Sequence, residues 1–368
     1  MERVVCAENS VAMLADVAKA VAARPNVSSL LVFLAEGAGW DLAGLSRWAQ
    51  QQTVPLLGGI FPHAIADRTL LSKGGVVVGL KQPLTVFRTP MNASPTLPEA
   101  MIALPEQTAV LTLIDGLSPH VRPLVETLYD ELGPAFTLFG GGAGSLSLTQ
   151  QPCLISNHGV EQRVALFGAM AANVHLSVRH GWQPLEAYPI LVATETDDNR
   201  ILSLDWQPAF TVYRHWVERH ASVTLTPENI FSIAKAYPLG IIRPSGEFVV
   251  RDPIRVEGET LVCVGPVQSG SSVAILHGDV QSLLNASREI GHALMQHMAA
   301  GFPATGRLLF DCVSRVLFLN DHFFEELDAL IPDALPTAGA LTLGEIAFTR
   351  EEALQFYNKT SVGALIAE

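Results

Sequence analysis

Residues Phe136–Met170 read FTLFGGGAGSLSLTQQPCLISNHGVEQRVALFGAM, an apolar strand-like run that meets four glycines in five positions. A phosphate-cradling loop would end in Gly-Lys-Ser/Thr, because the lysine meets the phosphates and the hydroxyl holds magnesium. Here Gly144 is followed by Ser145 and Leu146, with no lysine nearby. The dinucleotide pattern G-x-G-x-x-G, started at Gly140, needs a glycine where Ser145 stands. Both motifs also require a helix next, whose N-terminal amides face the anion. Instead Cys153–Ser156 is apolar, Asn157-His158-Gly159 are turn residues, and apolar residues alternate from Val164 to Val178, which predicts a β-hairpin. The glycines therefore let backbones pass closely or line a pocket with bare amides, and Gly141 and Gly142 are candidate ligand contacts on that ground.

Outward from this run, strands and helices alternate. Ser10 caps a helix to about Ala23, Ser28–Ala35 is a strand apolar on both faces, Asp41 caps a second helix, and Val54–Phe61 returns as a strand. Gly75–Leu80, Leu84–Phe87, Thr108–Ile114 and Ala135–Phe139 read as further strands, with a helix over Ser118–Leu132. A hairpin and then a helix fill 191–220, and polar residues around Ser222–Asn229 mark a boundary. Beyond it come short strands, a helix over Val280–Ala300, a strand Arg307–Val313, a helix near His322–Ile331, and strands Leu341–Phe348 and Thr360–Ile366. No short-period repeat is visible. The pattern predicts an α/β protein of two α/β halves with mixed sheets, 1–220 and 221–368, packed as a layered αββα-like sandwich.

Composition narrows the function. Hydrophobic residues make up 49% and charged residues 16%, as in a globular chain. A net charge of −13 with 23 Lys+Arg argues against nucleic acid, and no polybasic run invites an anionic membrane. Neither a secretion signal nor an apolar run near the ~20 residues of a membrane span is present, so a cytoplasmic protein is expected. Cys6, Cys153, Cys263 and Cys312 stand far apart and form no C-x-x-C. There is no H-E-x-x-H and no G-x-S-x-G elbow, so an enzyme is not the expected reading.

Several separated clusters together carry a family resemblance: YPLGIIR (Tyr237–Arg243), VRDPIRVEGETLVCVGPVQSGSSVAILHGD (Val250–Asp279), DCVSR (Asp311–Arg315), LGEIAF (Leu343–Phe348) and YNKTSV (Tyr357–Val362). With LFGGGAG at Leu138–Gly144 and LSLDWQPAFTVY at Leu202–Tyr213, the chain resembles the FIST sensory domain over nearly its whole length. The resemblance implies a ligand-sensing module of bacterial signal transduction. One branch of such stand-alone proteins binds haem b, senses nitric oxide and signals to a partner histidine kinase, whereas the family's first-proposed ligands are small metabolites such as amino acids. The chain carries no kinase core, receiver or cyclic-dinucleotide output motif, so the resemblance implies a separate output partner.

The candidate site residues follow. Arg315, in Cys312-x-x-Arg315, offers a rigid fork for a carboxylate. Glu345 is available to an amine or to Arg315, and Asn358 and Thr360 add short hydrogen-bonding groups. Together these suit a zwitterion; the alternative is that Arg315 and Glu345 form a buried structural pair. Haem would need an axial ligand, most often histidine, in an apolar pocket, for which His63, at a strand end, and His297, near a helical apolar stripe, are the candidates. His292 and His297, five apart, lie about 140° apart around a helix and do not share one ligand. A Cys312 nucleophile is a third reading and requires an activating base.

Overall fold

In a computed structural model, which describes residues 1–186, 189–243, 246–348 and 355–368, the caps stand where the sequence puts them. The Ser10 hydroxyl accepts from the Met13 amide at the start of helix Val11–Ala22, and Asp41 accepts from Gly44 ahead of helix Leu42–Gln50. Helix Val280–Ala299 opens on a reciprocal Asp279–Ser282 capping box. Each such cap satisfies amides that the helix itself leaves open.

The α/β class with mixed sheets is what the structure has. The first sheet runs Glu2–Cys6, Gly75–Leu80, Ser29–Ala35, Leu56–Phe61, Leu154–Ser156, Gly159–Glu161. Only its Ser29–Ala35 and Leu56–Phe61 strands are parallel neighbours. The same order and senses recur twice. The second sheet runs Leu84–Pro90, Val164–Met170, Ala109–Asp115, Thr137–Ala143, Glu345–Phe348, Gln355–Tyr357. The third runs Asn173–Arg179, Ser361–Ala367, Gly306–Cys312, Thr337–Thr342, Ala64–Ala66, Thr69–Leu71.

Register repeats with the topology. Val32 lies opposite Val77 and Gly58, Thr112 opposite Phe167 and Gly140, and Leu309 opposite Gly363 and Gly339. A Cβ on Gly58, Gly140 or Gly339 would fall 2.1, 2.0 or 1.8 Å from the carbonyl oxygen of Val32, Thr112 or Leu309. The parallel strands approach so closely there that only glycine fits. The chain is thus built on three long repeats. Each repeat's hairpin completes the sheet of another, the first on the third, the second on the first, the third on the second.

The run Leu341–Phe348, expected as one strand, divides for this reason. Thr337–Thr342 belongs to the third sheet and Glu345–Phe348 to the second, with Gly344 at φ +90° turning the chain between them. The three sheets meet at Phe33, Phe310 and Phe139, one from each, with ring centroids 5.8 and 6.4 Å apart and edges toward faces. Each fully buried ring contributes on the order of 1.5–3 kcal/mol of apolar transfer.

The third repeat is interrupted between Arg179 and Val280 by a further unit. Its strands Leu191–Asp197, Arg200–Leu204, Thr260–Val264, Phe248–Glu257, Leu239–Ile242 and Ser272–His277 pair antiparallel in that order, and Ser272–His277 pairs back to Leu191–Asp197. The ring closes into a barrel, which removes exposed edges. Helix Ala209–Ala221 packs Phe210, Tyr213 and Val217 into one core with Ala193, Leu239 and Val273 of its strands. The 220/221 division expected from sequence falls at the end of this helix, inside the barrel core.

Candidate functional site

Helix Val313–Leu319, not read from the sequence, begins where strand Gly306–Cys312 ends and carries Arg315 inward. Arg315 is fully buried and meets Glu326 (Nε at 2.8 Å) and Asp311 (3.4 Å), not Glu345. Its remaining hydrogens reach the His180, Lys359 and Leu283 carbonyls and the Ser287 hydroxyl. Lys359, also fully buried, pairs with Asp252 of the barrel at 3.1 Å, and both cations lie over the Trp182 ring at 5.6 and 5.0 Å.

Glu345 accepts from the Thr342 hydroxyl at 2.7 Å and the Thr360 amide at 3.3 Å. Burial holds its carboxyl well above the usual range, and that of Asp311 likewise. Burial also pushes the Cys312 thiol up to about 12, so the thiolate a nucleophile needs is scarce at neutral pH. The Cys312 amide donates to the Thr360 carbonyl at 3.1 Å, and the Thr360 hydroxyl to the Asn358 carbonyl at 2.9 Å. Gly141 lies opposite Glu345 across the strand pair, and the Gly142 amide donates to the Gly344 carbonyl at 2.8 Å.

Arg315, Cys312, Glu345, Asn358, Thr360, Gly141 and Gly142 are therefore brought together around the hairpin that the third repeat gives to the second sheet. They are interior. His63 and His297 lie elsewhere. His63 has its Nδ1 buried with no partner among the described residues, and burial lowers its pKa. His297 stacks on His175 at 3.6 Å and packs against Phe302 at 4.9 Å.

The open space lies one step outward from Asn358. A cavity of about 470 Å³ separates helix Val121–Leu132 from the barrel, walled by Val121, Val125, Tyr129, Ile241, Pro266 and Phe356. Arg243 and Arg251 of the barrel also line it. The Arg251 Nε donates to the Pro266 carbonyl at 2.8 Å, and Nη1 to the Val250 and Phe356 carbonyls and to Asn358 Oδ1 at 3.4 Å. The chain of contacts thus runs Arg251, Asn358, Thr360, Glu345, from cavity to interior. Arg243 and Arg251 fall within the sequence clusters YPLGIIR and VRDPIRVEGETLVCVGPVQSGSSVAILHGD, where they carry no assigned role. The signal was there: an Arg-Asp pair in the middle of an apolar strand (Val249-Val250-Arg251-Asp252) requires buried partners.

Repeat geometry explains the position. Each sheet has a place where a repeat's helix faces another repeat's hairpin. In the first sheet that place is filled, Gln50 donating to the His158 carbonyl at 3.0 Å and the Val160 amide to the Ser46 hydroxyl at 3.2 Å. In the third it is a hollow of about 570 Å³ whose charges are paired, Arg3 with Asp67 and Asp333 with Arg307. In the second, the barrel forms one wall. Neither cavity has a histidine in its wall.

Two family models match the chain. The FIST N domain matches residues 28–207 and the FIST C domain residues 209–348. The two matches meet just before helix Ala209–Ala221, within the barrel. No curated protein matches the chain.

Proposed function

Because the chain belongs to the FIST family, whose domains are sensory domains of signal transduction, we propose that it is a sensor whose small-molecule site is the cavity between helix Val121–Leu132 and the barrel. The observation that carries this reading is the cavity itself. It is of ligand size, it sits where the barrel meets the second repeat, and its wall connects through Arg251 and Asn358 to the buried polar chain around Glu345. A ligand there touches two units at once and so favours the arrangement in which they are closed on each other, a population shift. A metabolite with an acidic group, such as an amino acid, suits walls that combine guanidinium, amide and apolar surface. The signal then passes to a separate partner, a histidine kinase being one candidate.

Haem is the weaker reading. An axial histidine, the commonest haem ligand, would open on an apolar space, whereas the two cavities described above have none in their walls and a ring face of His297 is occupied by His175. The residues at hand fit the group poorly. A Cys312 enzyme is weaker still, with the thiol pushed up to about 12.

A thermal-shift panel of amino acids and small organic acids tests the proposal. Ligand at a hundred times its Kd adds about 2.7 kcal/mol. The expected hit loses its effect in Ile241→Trp, which fills the cavity. A hit that Ile241→Trp leaves unchanged would refute the site, and a stoichiometric Soret band on adding hemin would favour haem instead.

A further inference from the structure

The geometry points to an organic carboxylate as the ligand of this cavity, its oxygens seated on Arg251 and its apolar body against Val121, Val125, Ile241 and Phe356; the inference rests on the sensory reading above and names the chemistry of its site. Four cationic side chains are buried among the described residues: Arg251, Arg307, Arg315 and Lys359. Three have carboxylate partners: Arg307 has Asp333 at 2.7 Å, Arg315 has Asp311 and Glu326, and Lys359 has Asp252 at 3.1 Å. Arg251 has none. Its acceptors are three carbonyls and an amide oxygen, all neutral, and its Nη2 makes no hydrogen bond with the described residues.

An uncompensated buried charge is costly. The adjacent Asp252 is already engaged by Lys359 and does not relieve it. Burial first, and the neighbouring Arg243 charge with it, pull Arg251 down to about 10, which leaves it protonated at neutral pH. A cation held in place by neutral groups, with one nitrogen left over and a cavity in front of it, is prepared for an anion from outside the chain. The planar fork matches a carboxylate. The apolar and aromatic part of the wall receives a carbon skeleton, which inorganic phosphate lacks, while Arg122, Arg243, Gln268 and Ser271 add polar surface around it. Among the described residues the acidic groups at the cavity are Glu126 and Asp130; both are exposed, and Glu126 is held by Arg122 at 2.8 Å.

The experiment titrates the full chain with butyrate, benzoate, benzamide and inorganic phosphate at constant ionic strength, followed by calorimetry and melting temperature. One of the two carboxylates is expected to bind saturably. Benzamide, the neutral counterpart of benzoate, and phosphate are each expected at least about tenfold weaker, as befits loss of one charge-assisted contact. Arg251→Gln is expected to lose carboxylate binding by a similar factor. The benzamide comparison needs no variant, so it holds even where Arg251→Gln folds badly. Equal binding of benzoate and benzamide, tighter binding of phosphate, or no saturable carboxylate binding each overturns the inference. The two readings fail apart. Benzamide binding as tight as that of benzoate, with both abolished by Ile241→Trp, keeps the cavity and removes the anion, whereas carboxylate binding that survives Ile241→Trp removes the cavity.

Discussion

Replacing Glu345 by glutamine tests the buried polar chain at its least ordinary member. The carboxyl is fully buried, and it sits beside Asp311, Thr342 and Cys312. Burial is the largest cause of its raised pKa, and the nearby Asp311 adds to it. In the unfolded chain the same group titrates near ~4.3. Between that value and its higher folded value the native state therefore holds a proton that the unfolded state lacks. The stability tied to this proton is complete below the unfolded pKa and is lost as pH rises toward the folded one, at about 1.4 kcal/mol per pH unit for each such proton. Asp311, raised chiefly by the same burial, adds a second contribution of the same sign. Glutamine copies the shape of the neutral acid. Glu345→Gln should consequently remove roughly one proton's share of the slope above about pH 4.3 and match or exceed the wild type at pH 8. Glu345→Ala, which strands the Thr360 amide and leaves the Thr342 hydroxyl only the Asp311 carbonyl at 3.3 Å, should cost about 1–3 kcal/mol for the amide left unpaired. Urea denaturation at half-unit steps from pH 4 to 9 measures all three proteins. An unchanged slope in Glu345→Gln, joined to a loss of several kcal/mol at pH 8, would mean that the carboxylate is ionised and the argument is wrong.

Other expectations can be checked on the same instruments. Phe310→Ala opens the joint between the sheets and should cost about 3–5 kcal/mol in urea. Lys359→Met leaves Asp252 buried without its cation and should cost about 3–5 kcal/mol at neutral pH. That loss should shrink in acid, because Asp252, already raised by burial, takes up a proton. Gly339→Ala places a Cβ 1.8 Å from the Leu309 carbonyl oxygen and should prevent accumulation of folded protein. Arg122→Ala removes only an exposed i,i+4 pair and should change stability by less than about 0.5 kcal/mol, a control for the others.

What the sequence disclosed followed from local rules. Ser10 and Asp41 announced helices because their caps act within three residues. Ser29–Ala35 and Gly306–Cys312 were legible because strands covered on both faces read as unbroken apolar runs. Glu345, Asn358 and Thr360 were grouped by their closeness in sequence and their hydrogen-bonding chemistry; the hairpin that holds them, and the place of Cys312 beside it, depend on pairings between distant strands. The repeats were not visible, because what the three units share is register and order, set by pairings across distant segments. Ala64–Ala66 and Thr69–Leu71 are too short to show a period. Arg315 was matched with Glu345 on chemistry alone. The partners nature supplied, Asp311 and Glu326, lie on the strand before and the helix after, and their approach depends on helix Val313–Leu319 turning the guanidinium inward.

The exchange of hairpins makes the three copies hostage to one another. Deleting one would leave a neighbour's sheet without its outer two strands and a pair of strands elsewhere with nothing to lie against. Insertions are tolerated best at the places that hand nothing on, and the barrel occupies one of these, ahead of helix Val280–Ala299. Novelty in this lineage would then accumulate as cargo beside a frozen frame, and related chains should differ most between the strand that opens a repeat and the helix that follows it.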